Sequence, residues 1–406
     1  MKVTVLVGGR WHSFELAAEL AKRGLLHRII TTYPTFKTAE WDIPSNKVVS
    51  IPLKLLLERA AYRIGGPQLP HRLQGIFGRL FARAAVRHLH GSEIIHGWSS
   101  FSEPAMDWAK RKGIPFVLER GSSHIEAQSD LLTNAYANLG LNWEPTPPSV
   151  VAQEVREYQQ ADCIVVPSSF VYNTFRAKGV PADRLLLNPF GADVRKFQPG
   201  ERRDEVFRVL YVGTLSVRKG IHDLVAAFMQ ANIPNSELCL VGGATPETPR
   251  LLAEADHRVR CIGHLPQAKL IDFYQDSAVF VMPSIEEGMA MVQLQAQATG
   301  LPLICTRNTG GEDLLKLGGP RLAYHEDGTE EFASGYMVSV GNSAAIARLL
   351  TLLARTPELL GKKRQAALAL RERALSWEHY ADRCVRLYGS LHSSHFRGIR
   401  ANNFES

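Results

Sequence analysis

The residues best suited to chemistry lie in the stretch 283–302, which reads Pro283-Ser284-Ile285-Glu286-Glu287-Gly288-Met289-Ala290-Met291-Val292-Gln293-Leu294-Gln295 and closes with Gly300-Leu301-Pro302. An apolar run of strand length, 278–282, precedes it. Pro283 and Ser284 end that strand, and Gly288 permits a tight turn into a helix that Gly300-Leu301-Pro302 terminates. A second short strand, 303–305, follows directly. A strand, a glycine-bearing loop and a helix N-terminus together make an anion site, because unpaired N–H groups and the positive end of the helix dipole both point at the loop. A diphosphate is the natural occupant.

The same stretch resembles the donor-site motif P-S-x-x-E-G-F-G-x-x-x-x-E-A of retaining glycosyltransferases with the GT-B fold, the large family 4, also called glycosyl transferases group 1. Glu287 and Gly288 match it, Met289 and Ala290 replace Phe and Gly, and Gln295 replaces the second glutamate. The resemblance implies that Glu287 faces the donor sugar, that Gly288, Met289 and Ala290 line the donor pocket, and that position 295 grips the ribose hydroxyls of the nucleotide. An amide at 295 still bonds a hydroxyl, but a neutral partner contributes about 0.5–1.5 kcal/mol against about 1.5–3 kcal/mol for a charged one. Nucleotide affinity or identity is therefore expected to depart from the family norm.

A second segment, Val212-Gly213-Thr214-Leu215-Ser216-Val217-Arg218-Lys219-Gly220, resembles the family's other donor loop. Transfer from a nucleotide sugar leaves negative charge on the departing diphosphate, and fixed cations beside it stabilise the transition state. Lys219 occupies the family's lysine position. Thr214 stands where an arginine often follows Gly213, so Arg218 is expected to supply the second cation. In the first half of the chain, Gly8-Gly9 would let the backbone approach the donor, with a plain turn as the alternative. His124, closing Glu119-Arg120-Gly121-Ser122-Ser123-His124, resembles a family histidine near the donor sugar but lies later than the usual spacing. A core or surface histidine is the alternative there, with Arg120 sharing the role. Glu312, in a Gly-Gly-Glu-Asp loop, is either a pocket residue by resemblance or simply solvated.

The retaining mechanism implied by the resemblance needs no paired carboxylates. The acceptor hydroxyl attacks from the leaving-group face, the departing phosphate can take its proton, and Glu287 orients the donor. No D-x-D set stands in a supporting context and no His/Cys/Asp cluster has metal spacing, so neither metal nor cofactor is expected beyond the nucleotide sugar itself.

The elements that must position these residues alternate. Strand-like runs at 3–7, 28–32, 94–96, 116–119 and 163–167 are separated by helical patterns such as 13–22 and 151–159, and a second series runs 208–212, 237–241, 259–262, 279–282 and 302–305. Such alternation predicts parallel sheets covered by helices on both faces. The expected fold is α/β, GT-B: two doubly wound Rossmann-like domains facing across a cleft, with the site at the carboxyl ends of the strands. An acceptor-binding domain is expected over 1–194, a polar linker over 195–204, a donor-binding domain over 205–375, a helix crossing back to the first domain over 376–390, and a disordered tail over 391–406. The runs 161–170, 188–199, 335–338 and 376–378 resemble family segments in the same order.

Composition agrees with two domains: 406 residues exceed what one core usually holds, and 45% are hydrophobic. The opening residues are apolar over too few positions for a signal peptide, and no run approaches ~18 apolar residues. A cytoplasmic protein is expected. The five cysteines are scattered and read as buried free thiols. Net charge is +7, with an excess of +9 in residues 1–90. Arg72, Arg79, Arg83 and Arg87 fall within roughly an 80° arc of a helix. That stripe is either a solvated face or a surface for an acceptor or for anionic lipid headgroups at the inner membrane face. The basic stretch has no interleaved exposed aromatics or base-reading motif, so nucleic acid is not an expected partner.

The function expected is transfer of a sugar from a nucleotide sugar to a hydroxyl of a glycan, polysaccharide or lipid-linked acceptor. A sugar-nucleotide epimerase or sugar phosphorylase on the same architecture, or a non-catalytic sugar-nucleotide-binding protein, are the alternatives.

Overall fold

The structure, a computed structural model, describes residues 1–193, 196–371 and 376–402. Runs rich in Val, Ile and Leu, four to six residues long, form strands buried on both faces, as Val3–Val7 (Val-Thr-Val-Leu-Val) and Cys163–Val166 (Cys-Ile-Val-Val) show. Burial of both faces is the signature of a parallel sheet sandwiched between helices. The first sheet contains β1 (Val3–Val7), β2 (Leu26–Thr31), β3 (Val48–Ser50), β4 (Ile94–Trp98), β5 (Phe116–Glu119), β6 (Cys163–Val166) and β7 (Leu185–Leu187). Its order is β3-β2-β1-β4-β5-β6-β7, parallel throughout.

The second sheet contains β8 (Phe207–Val212), β9 (Ser236–Val241), β10 (Val259–Gly263), β11 (Val279–Met282), β12 (Leu303–Thr306), β13 (Ala323–Tyr324), β14 (Glu330–Phe332) and β15 (Gly335–Val338). Its order is β10-β9-β8-β11-β12-β15-β14-β13, antiparallel only at the β13–β14–β15 edge. Sequence patterning does not find β3, β7, β13 or β14, each two or three residues long and too short to show a period. In each sheet the strand order reverses beside its first strand, between β1 and β4 and between β8 and β11, which opens a crevice at the strands' carboxyl ends.

A long helix, Trp377–Asn402, crosses from the second domain to the first. Tyr380, Ala381, Cys384 and Tyr388 are wholly buried. Their spacing of one, four and eight residues puts them on one face of the helix. That face packs beside the Ser13–Lys22 helix, where Arg23 bonds Asp382 at 2.7 Å. Asn188 donates to the carbonyl of Tyr380 at 3.2 Å. The helix outruns its expected end at 390: of the expected disordered tail, 391–402 is helical and 403–406 lies outside the described residues. No proline interrupts 377–402, so nothing in the backbone stops the helix. Four cysteines are buried and free, whereas Cys261 on β10 is exposed. No helix among the described residues is long and apolar enough to cross a membrane.

Gly191 sets the closeness of this crossing, because a Cβ there would lie 2.3 Å from the backbone nitrogen of Trp377. Gly191→Ala is expected to destabilise the protein by about 1–3 kcal/mol through overpacking and to lower the midpoint of thermal unfolding. A midpoint equal to wild type would show that the crossing is not tightly seated.

Candidate functional site

Three loops converge in the crevice: the one after β8 carries Gly213 to Lys219, the one after β11 carries Glu286 to Ala290, and the one after β5 carries Arg120 to His124. They enclose a cavity of about 600 Å³ between the domains. From the second domain, Gly213, Thr214, Lys219, Glu287, Met289 and Gln295 line it. From the first domain come Trp11, His12, Phe101 and Arg120. Ala290, which caps the Met291–Ala298 helix, also faces the space.

Glu286 and Glu287 are adjacent and have opposite fates. Glu286 is fully buried and accepts hydrogen bonds from the Ser123 N–H at 3.0 Å, the Ser123 hydroxyl at 2.7 Å and the Gln128 amide at 2.9 Å. Arg218 adds an ion pair at 2.8 Å. Burial alone would raise the pKa of Glu286, but Arg218 and the hydrogen bonds from Gln128 and Ser123 outweigh it and hold the carboxyl below its ordinary value. Glu287 instead faces the cavity, in contact with the Lys219 ammonium. Burial, with Arg218 close by, pulls Lys219 down to about 7, while Glu286 pulls the other way. Contact with the Glu287 carboxylate also favours the charged lysine.

Arg218 is turned chiefly toward Glu286. Its guanidinium also reaches the Ser122 hydroxyl at 3.3 Å and stands 3.9 Å from Glu287, and it does not itself line the cavity. The reason is Glu286, a position the motif leaves unspecified, whose buried charge needs that cation. His124 is likewise placed elsewhere. It is the N-cap of the Ile125–Asn138 helix, its ring accepts from the Glu126 N–H at 3.3 Å, and it packs against Tyr158 and Phe175. Burial pulls its pKa down to about 4, which suits a structural imidazole. Arg120, four residues earlier, reaches the cavity instead and is anchored by Glu154 at 2.7 Å.

Gly8 and Gly9 do not line the cavity. A Cβ at Gly8 would sit 2.4 Å from the Phe101 ring, and the loop delivers Trp11 and His12 to the space. At Gly288 the two domains approach closely, since a Cβ there would lie 1.7 Å from the Gly121 carbonyl. The Ser168 hydroxyl donates to the Gly288 carbonyl at 2.6 Å. Met289 is buried, with its sulfur 3.3 Å from the Phe190 nitrogen, and the Gln295 amide oxygen pairs with the Tyr274 hydroxyl at 3.0 Å. Glu312 pairs with Lys316 on its own helix, while neighbouring Asp313 makes a cross-domain bond to Ser169. Arg72, Arg79 and Arg83 are exposed on the Gln68–Val86 helix and Arg87 caps it, all outside the cavity.

Sequence reasoning passed over Trp11, His12, His96 and Glu119. Glu119 is a wholly buried acid at the end of β5, bonded to His12, His96 and Tyr380. A charged residue closing an otherwise apolar strand was the available signal. Among the described residues no group of three or more His, Cys, Asp or Glu is placed to hold a metal ion.

Two doubly wound domains meeting at the carboxyl ends of their strands define the GT-B architecture. Residues 7–191 match the family model described as glycosyl transferase 4-like domain, and residues 194–369 match that of glycosyl transferases group 1. The chain belongs to the glycosyl transferases group 1. It is 28% identical over 290 residues to a D-inositol 3-phosphate glycosyltransferase of Corynebacterium urealyticum, a match spanning 64% of this chain and 63% of that protein, less than two thirds of its length. Among solved structures, sucrose-phosphate synthase from Thermosynechococcus elongatus superposes with a TM-score of 0.73 at 20% identity, covering 97% of this chain and all of that one. Anabaena HepE in complex with UDP superposes at 0.68 and 16% identity, over 96% of this chain and 100% of that one. Those two likenesses concern the fold.

Because Glu286 has a lowered folded-state pKa, its stabilisation is fully present above the ordinary carboxylate value and is lost as pH falls through the folded value. The bonds it would lose join the two domains. Acidification from pH 7 to well below the ordinary carboxylate range, through the lowered folded value of Glu286, or Glu286→Ala at pH 7, is expected to open the cleft and raise the radius of gyration in small-angle scattering. An unaltered radius in Glu286→Ala would show that closure rests elsewhere.

Proposed function

We propose that this protein is a retaining, metal-independent glycosyltransferase of the cytoplasm, moving a sugar from a nucleotide-sugar donor to a hydroxyl of a glycan, polysaccharide or lipid-linked acceptor. The observation that carries the reading is the Glu287–Lys219 contact inside the interdomain cavity, where the β8 and β11 loops meet. A buried lysine needs an anion, and Glu287 is the carboxylate in contact with it. A donor diphosphate would take over Lys219, keep it charged and release Glu287 to bond the sugar hydroxyls. The N-terminus of the Met291–Ala298 helix adds positive potential on the same wall. Lysine and helix dipole together do the electrostatic work that a bound cation does elsewhere. A uridine nucleotide is the first base to test, since the HepE neighbour was solved with UDP.

The acceptor side belongs to the first domain. Lys54 and Glu58 of the Leu53–Gly65 helix and Gln74 and Gly75 of the Gln68–Val86 helix line the cavity, and these two helices pack as a hairpin. The hairpin's outer surface exposes Leu56, Tyr62, Ile64 and Ile76 beside Arg59, Arg63 and Arg72. Apolar side chains among arginines fit an anionic bilayer, which would bring a lipid-linked acceptor to the cavity mouth.

Calorimetric titration with UDP, GDP and ADP, with and without magnesium, is expected to show metal-independent binding of one of them. Glu287→Ala is expected to lower turnover far more than nucleoside diphosphate affinity, and equal losses would undo its assignment to the sugar. Nucleotide binding with no turnover on any donor would favour a non-catalytic protein. For the membrane surface, Arg59, Arg63 and Arg72 changed together to Gln should abolish salt-sensitive cosedimentation with phosphatidylglycerol vesicles, and Arg79, Arg83 and Arg87 changed together to Gln test the neighbouring stripe separately. Undiminished binding by either variant removes its arginines from the membrane contact, and no binding by wild type removes both sets.

A further inference from the structure

Gly8 and Gly9 follow β1 without side chains of their own, and two aromatic rings occupy the room they leave. A Cβ at Gly8 would stand 2.4 Å from the Phe101 ring, and one at Gly9 would stand 3.1 Å from Cζ3 of Trp11. The two rings are neighbours, with centroids 5.5 Å apart and planes tilted by 38°. Both line the interdomain cavity. Phe101 is buried, whereas Trp11 is 53% exposed, an uncommon state for so large an apolar side chain.

The backbone leaves its ordinary range to present these rings. Among the described residues five other than glycine have positive φ, and three of them, Asp42, Asn232 and Asn235, are of types that tolerate the left-handed region. The other two are Trp11 at 39° and Ser100, the residue before Phe101, at 72°. Both line the same cavity. Conformations of this kind cost free energy, persist where the surroundings impose them, and cluster at ligand sites. Ser100 is held in this way, its N–H donating to Glu157 at 2.7 Å and its carbonyl accepting from Gln153 at 3.0 Å.

The polar groups on the same wall define the ligand. Lys54 Nζ stands 5.3 Å from the centroid of the Phe101 ring and pairs with Glu58 at 2.7 Å, and Gln74 lines the cavity with them. Lys54 and Glu58 cancel in charge, which suits a neutral ligand better than a phosphate. Together with Gln74 they still offer hydroxyl groups both donors and acceptors. An apolar flat surface with such groups beside it matches a pyranose, whose ring C–H bonds form an apolar face and whose hydroxyls project from the edge.

We propose that Trp11 and Phe101 form a platform on which a pyranose ring of the acceptor stacks, so that the acceptor is a glycoside. The proposal rests on reading the cavity as a glycosyl-transfer site and narrows its acceptor class. The platform belongs to the first domain, while Lys219 and Glu287 line the cavity from the second. Gly8-Gly9 then serves the acceptor, by seating the rings, and not the donor.

Trp11→Gly tests this in the full chain, because glycine suits the left-handed φ and the variant removes the indole without straining the backbone. Trp11→Phe keeps a flat ring. The probes are methyl β-D-glucopyranoside, methyl β-D-galactopyranoside and methyl α-D-mannopyranoside, with glycerol as a hydroxyl-bearing control that has no ring. In wild type at least one pyranoside, and not glycerol, should shift the Trp11 indole N–H signal, identified in NMR as the one missing from Trp11→Gly. Affinity for that pyranoside, measured by saturation-transfer NMR, should fall about tenfold or more in Trp11→Gly and about threefold or less in Trp11→Phe. The thermal midpoint of Trp11→Gly should equal or exceed that of wild type, with nucleoside diphosphate affinity unchanged, which a merely structural tryptophan would not give. No response to any of the three pyranosides, or undiminished affinity in Trp11→Gly, overturns the platform and leaves the transfer reading intact. Pyranoside binding at Trp11 without binding of UDP, GDP or ADP overturns the transfer reading and leaves the platform as a sugar site.

Discussion

Glu286 carries its charge into a position sealed from water, where Ser123, Gln128 and Arg218 supply the donors that solvent would otherwise provide. An ionised carboxylate without such donors would be prohibitively costly to bury. Two of these partners, Ser123 and Gln128, belong to the first domain and one to the second, so satisfying this single side chain requires the cleft to close. Gly288 then approaches the Gly121 carbonyl, Ser168 reaches the Gly288 carbonyl, and the walls of the cavity are brought together. Much of the site's geometry follows from that constraint.

Closure also sorts the charges. Once Arg218 is drawn to Glu286, Lys219 is the cation of its loop that lines the cavity, with Glu287 as its partner. Glu287 meets Lys219 at the cavity wall, whereas Glu286 is held by several donors from both domains. Adjacent glutamates thus divide the work, one joining the domains and one facing the cavity. The difference between them is burial, not chemistry.

A second buried carboxylate performs a comparable service on the first domain. Glu119 gathers His12 from the loop after β1, His96 from β4 and Tyr380 from the crossover helix. The helix is therefore more than a strap. Its tyrosines complete the hydrogen bonding of a cluster that reaches the cavity through His12, so the end of the chain influences the orientation of a residue near its beginning. Trp98 and Phe190 restrict the same ring by packing.

The resemblance to family 4 pointed to the two segments whose Glu287, Lys219, Gly213, Thr214, Met289, Ala290 and Gln295 line the cavity, while local chemistry in the chain was enough to determine the α/β class and the two strand series. Those features depend on short-range patterns: apolar runs of strand length, glycines at turns, a helix start after a strand. Tertiary structure decided what depends on partners distant in sequence. It turned Arg218 toward Glu286, made His124 a helix cap packed on Tyr158 and Phe175, and brought Arg120 and His12 to the cavity. It also assembled Glu119 with residues up to 261 positions away. Spacing along a chain reports which face a side chain occupies; it carries no information about which distant donor a buried charge will find, and that pairing settled the rest.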